Sequence, residues 1–188
     1  MKSLYSYSLD GEIQVAVGAH VDDLLYASTE AYKGIMEELL AQFEIKETKE
    51  GDFRFCGRDY HQGDDFSIKV TCRDNTEKIL PISFVTGSRK ATDKATEGEI
   101  SQLRSVNGSL FWIARQVRPE KTYICSKLQS IMNIAEVKHL EVCNYLLEDM
   151  KRTSDRGLFF KAGVFRFNDA IMLTVSDKVF PRLSLIHI

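Results

Sequence analysis

The sequence predicts an α+β fold, on three observations. Residues 12–28 and 53–71 carry short period-2 apolar runs broken by turn residues. Residues 99–150 carry apolar residues at helical spacing. The composition is that of an ordinary globular chain, with 44% hydrophobic and 28% charged residues. That balance excludes collagen-like, coiled-coil and disordered chains. No run of 18 apolar residues exists to form a transmembrane helix, and the N-terminus has no apolar stretch of the secretory kind.

The elements follow in order. Ile13, Val15 and Val17 alternate, Leu24 to Ala27 is an apolar run, and Asp22-Asp23 lies between them, so residues 12–28 read as a β-hairpin. Tyr32, Met36, Leu39 and Phe43 then mark a helix over 30–43, with Thr29 placed to cap it. Phe53–His61 and Ser67–Thr71 read as two strands around the turn 62–65, and 73–80 as one or two helical turns stopped before Pro81. Residues 86–98 contain no apolar side chain larger than Ala and read as a linker.

Thr96 and Glu99 form a capping box before a helix carrying Leu103, Val106, Leu110, Ile113 and Val117. Gly108 inside that helix suggests a close packing contact. Pro119 opens a second helix over 120–130, and a third covers 136–150 until Gly157 ends the helical region. Leu158–Phe160 and Ala170–Val175 are strand-like.

Charge is uneven. Residues 1–94 carry 12 Lys and Arg against 17 Asp and Glu, whereas residues 95–188 carry 13 against 10. A basic second half is compatible with a phosphate-backbone partner or with an ordinary solvated surface. The four cysteines, at 56, 72, 125 and 143, match no zinc spacing and read as small buried hydrophobes.

Asp22-Asp23 is the sharpest feature. A tight hairpin turn favours Gly, and none is present here; two adjacent carboxylates repel each other between apolar strands. Two readings stand on these residues alone: a solvated turn, or a site for a divalent cation that cancels the repulsion.

Around that pair the sequence resembles a family. Val15 to Ser28 resembles the palm hairpin of reverse transcriptases, with its aromatic-Val-Asp-Asp motif. FEIKETKEGDFRFCGRDYHQ, TEKIL, RSVNGSLFWIARQVRPE and VKHLEVCNYLLEDMKRTSDRGLFF are similar, in order, to segments of the copia-type LTR retrotransposon polymerase. LTVSD resembles the first strand of the RNase H domain that follows it. The likeness covers about residues 13–178.

The resemblance implies a partial polymerase palm over 1–85, the linker at 86–98, a helical thumb-like region over 99–156 and the start of an RNase H-like domain over 157–182. It implies an RNA-directed DNA polymerase that extends a primer with dNTPs on an RNA or DNA template. Mg²⁺ or Mn²⁺ would be held by Asp22 with Asp23 beside it, and a third palm Asp and the fingers belong to an earlier segment of the polyprotein. His20 stands where the family has Tyr, near the primer terminus. Arg104, Arg115 and Arg118 would touch the template-primer backbone. Asp177 matches the first RNase H metal ligand, although Lys178 departs from the pattern there. The resemblance also implies an intracellular site, in cytoplasmic particles or the nucleus. Without the third Asp, the chain is expected to be inactive alone; the competing reading is a non-enzymatic nucleic-acid-binding or decayed fragment. Residues 183–188, LSLIHI, resemble the translation of a transposase end sequence used in preparing sequencing libraries and read as a non-native tail, the alternative being a genuine hydrophobic terminal strand.

Overall fold

The computed structural model describes residues 3–45, 47–85 and 87–163, together with the dipeptides 171–172 and 186–187. Asp177 and most of the 183–188 tail lie outside the described residues.

The first sheet is antiparallel, in the order β1 (Ser3–Leu9), β2 (Glu12–His20), β3 (Asp23–Ser28). β1 and β2 are joined by Asp10-Gly11, both at positive φ, the two-residue turn whose twist suits a hairpin. The register steps from Tyr7 opposite Val15 to Ser8 opposite Ile13, so Gln14 is an extra residue in β2. Thr29 holds it there: its backbone N–H donates to the Gln14 carbonyl at 2.9 Å and its hydroxyl to Gln14 Oε1 at 3.1 Å. That hydroxyl is therefore spent on the bulge and does not cap the helix. The chain instead enters through a 3₁₀ turn, Glu30–Tyr32, into α1 (Lys33–Leu40), whose Met36 is buried.

The second sheet runs β4 (Asp52–Phe55), β5 (Arg58–Gln62), β6 (Ile68–Thr71), β7 (Leu158–Phe160), all antiparallel neighbours. The single strand expected over 53–61 is in fact a hairpin, because Cys56 and Gly57 both adopt positive φ and reverse the chain. A Cβ on Gly57 would lie 3.0 Å from the Trp112 ring. Leu158–Phe160, the first part of the expected RNase H-like stretch, lies on the edge of this sheet against β6. The approach there is close: a Cβ on Gly157 would overlap the Val70 carbonyl. Ile171–Met172 (β8) and Ile186–His187 (β9) pair with each other.

α2 (Arg73–Glu77) is tied to the β4–β5 hairpin by Arg54, which bonds Asp74 and Asn75, and by Asn75 Nδ2, which donates to the Gly57 carbonyl at 2.8 Å. α3 (Glu97–Val117), α4 (Thr122–Ser130) and α5 (Val137–Arg152) follow. The capping box of α3 is formed: Glu99 N–H donates to Thr96 Oγ1, and Thr96 N–H to Glu99 Oε2.

The main core runs from Val70 to Met150 and gathers apolar side chains of β6 and all three long helices. Leu103, Leu110, Ala114, Leu140 and Met150 are fully buried. Cys72, Cys125 and Cys143 are buried there too, as expected, while Cys56 at its turn is only half-buried; all four are free thiols. The stretch between α2 and α3 is stitched down. The Asn144 amide pairs with both backbone groups of Ile82, and the Gln102 amide does the same at Ser83. Arg89 forms an ion pair with Glu99, and Ala95 N–H donates to the Ala135 carbonyl.

Candidate functional site

His20 and Asp23 face each other across the β2–β3 hairpin, leaving Val21 and Asp22 as its two-residue tip. Val21 has φ 58° and is 77% exposed. A two-residue turn with positive φ at its first position is the place of Gly, and a β-branched side chain there is strained. Such strain, of order 1–3 kcal/mol, gathers at functional sites. Asp22 and Asp23 are both exposed at this tip, as the sequence leads one to expect, and among the described residues neither enters an ion pair. The pair is thus available to a cation. Among the described residues no group of three or more His, Cys, Asp or Glu is gathered in metal-binding geometry.

His20 is half-buried, and its ring meets that of Phe55 edge-on at 6.5 Å between centroids. This contact brings the acidic tip beside the β4–β5 turn. On the other side of that turn, Trp112 packs against Gly57 while remaining 40% exposed. A continuous path therefore leads from Asp22 through His20, Phe55 and Gly57 to the outer face of α3.

That face carries Arg104, Gly108, Trp112 and Arg115, within about 80° of arc at 100° per residue. Arg104 is exposed and donates to Asn133 Oδ1 at 3.1 Å. Arg115 is exposed, with its guanidinium 5.9 Å from the centre of the Phe111 ring. An open hollow of about 490 Å³ lies against α3, bordered by Asn75, Ser105, Gly108, Ser109 and Trp112. Gly108 makes no close packing contact, against expectation: a Cβ there would meet nothing within 4 Å. Its missing side chain opens the surface instead. Trp112 was not singled out by sequence reasoning, although an indole at i+4 from a glycine on the polar face of a helix was the signal.

Arg118 does not belong to this surface. It is 4% exposed, and its guanidinium donates to Glu120, to the Thr153 carbonyl and to Thr153 Oγ1 at 2.6–3.0 Å. Its fork matches three acceptors at the ends of α3 and α5, so it locks the helices and is unavailable to a backbone phosphate.

No protein-family model matches the chain, and no solved structure matches it. It is similar to a transposon Ty5-1 protein of Saccharomyces cerevisiae, with 26% identity over 168 residues. The relationship is to a transposon protein. The match covers 82% of this chain and 54% of the relative, so the chain spans about half the length of the protein it resembles. Among the described residues no helix is long and apolar enough to cross a membrane.

Proposed function

We propose that the chain is a segment of a retrotransposon RNA-directed DNA polymerase, in which the β2–β3 tip is one side of the metal site and the α3 face a contact for the template-primer. The observation that carries this reading is the strained tip, two exposed carboxylates held beyond a valine at positive φ. The similarity to a transposon protein supports it.

The tip residues fit a hard cation in part. Asp22 and Asp23 supply carboxylate oxygens of the kind Mg²⁺ and Mn²⁺ take, and neither must first break an ion pair among the described residues. Two carboxylates leave most of an octahedral shell to water, to substrate phosphates and to a carboxylate from elsewhere in the larger protein. When bound, such a cation stabilises the attacking and leaving oxygens of a phosphoryl transfer. The chain's own part is positional. β2 and β3 hold the carboxylates at a fixed tip, and His20 braces that tip against Phe55. Arg104 and Arg115 neutralise backbone phosphates without reading bases.

The test pairs two measurements. Mn²⁺ binding, followed by paramagnetic resonance, is expected to fall at least about tenfold in Asp22→Asn, a loss of about 1.4 kcal/mol. Template-directed primer extension by the chain alone is expected to be absent, because positioning the ions takes a third carboxylate and among the described residues none is gathered with Asp22 and Asp23. Mn²⁺ binding unchanged in both Asp22→Asn and Asp23→Asn overturns the metal-site reading. Extension that persists in those variants does so as well.

A further inference from the structure

We propose that β1 is a self-association edge: two copies of this chain pair β1 against β1, antiparallel, about a two-fold axis through Ser6. The two three-stranded sheets would then form one sheet of six strands. This inference does not rest on the polymerase reading.

In the order β1-β2-β3, β1 lies at the sheet edge, so one side of its backbone presents donors and acceptors with no strand beside them among the described residues. Natural edges are guarded by charges, proline or bulges. Ser3–Leu9, SLYSYSL, contains no charge and no proline. The irregularity in its pairing falls on β2 at Gln14, so β1 itself remains regular. Leu4 and Tyr5 are 66% and 64% exposed, and Tyr7 and Leu9 nearly half exposed.

The occupant follows from charge and symmetry. A neutral strand meets its own copy without repulsion, and a two-fold pairing closes at two chains. The opposite edge, β3, begins with the charged Asp23 beside Asp22, so that edge carries a guard that β1 lacks. With the axis at Ser6, Tyr5 of one copy stands opposite Tyr7 of the other, twice. Cross-strand aromatic pairs of this kind stabilise a sheet.

The experiment is light scattering with sedimentation over a concentration series of the full chain. The expected result is a reversible equilibrium that levels off at twice the 21.5 kDa of one chain. Ser6→Lys and Ser6→Glu each put like charges on the axis and are expected to weaken the dimer by about tenfold or more. Mixing the two variants restores it, because opposite charges then meet. Ala27→Lys, on the exposed side of β3, leaves it intact.

A monomer at every concentration overturns the proposal, as does growth past the dimer, disruption by Ala27→Lys, or a mixture that stays monomeric. Should both charged variants fail to fold, Ser6→Cys is the second test. Directly opposed residues of antiparallel strands lie within disulfide reach, so oxidation is expected to link two chains through position 6. Failure to form that link overturns the pairing.

Discussion

The sheet of β1–β3 and the helical core of α3–α5 are built from similarly apolar sequence, yet they bury it very differently. In the helical region, Leu103, Leu110, Leu140 and Met150 are wholly enclosed, and helix ends are closed by a capping box and by Arg118. In the N-terminal region, Val15 and Met36 are buried, but Leu4, Tyr5, Leu24, Ile35 and Phe43 are between 43% and 66% exposed. The difference teaches where each part's stability resides. The helices satisfy themselves, whereas the first sheet carries its acidic tip on a scaffold with apolar surface to spare.

The largest test of that contrast is truncation. Leu110→Ala is expected to cost about 3–5 kcal/mol, because the cavity left among α3, α4 and α5 cannot collapse fully. Leu24→Ala is expected to cost no more than about 0.5 kcal/mol, since its side chain already meets water. Urea unfolding of both variants checks the pair. Equal losses would show that the two regions share one core.

A smaller effect concerns the closure of α3. Arg89, together with the Thr96 hydrogen bonds, holds the Glu99 carboxyl from an ordinary value of 4.5 down to about 2. A pKa lowered by folding stabilises the fold above the unfolded value and is lost as pH falls through the folded one. The contribution is thus complete above pH 5 and disappears between about 4.5 and 2. Glu99→Gln is expected to cost about 2 kcal/mol at neutral pH. Melting curves of the two chains are expected to converge as the pH drops towards 2. A gap that stays constant with pH would count against the Arg89–Glu99 latch.

The smallest effect lies at the tip. Val21→Gly removes the cost of a β-branched residue at positive φ and is expected to protect the β2–β3 hairpin by about 1 kcal/mol in amide exchange. The helical amides should be unchanged. Faster exchange at the tip would show that the valine is at ease there.

Much of the fold was legible because its signals are local. The period-2 runs around Asp22-Asp23, the Thr96–Glu99 box and the spacing of Leu103, Val106 and Leu110 each specify an element without help from distant residues. What escaped needed either closer reading or tertiary information. The expected elements omit β1, although Asp10-Gly11 marks its turn. The Cys56-Gly57 reversal hid inside an apparently continuous strand. Thr29 has the right chemistry for a cap but found a better partner in the Gln14 bulge. At the site, the acidic tip could be read from two letters. The fate of Arg118 could not, because an arginine after a helix looks the same whether it faces solvent or Thr153. The union of Trp112 with the Gly57 turn depends on a packing of segments 55 residues apart.

The four thiols give the molecule a built-in reporter. Burial pushes Cys72 and Cys125 up to about 11 and Cys143 to about 12, so at neutral pH they are protonated as well as enclosed. A disulfide reagent needs the thiolate and an open path, and those three lack both. Cys56 sits at a half-exposed turn between the acidic tip and Trp112. Labelling of the native chain should therefore proceed in two separated phases. The quick phase reads the surface next to the candidate site, and the slow one counts openings of the buried core, without any introduced probe.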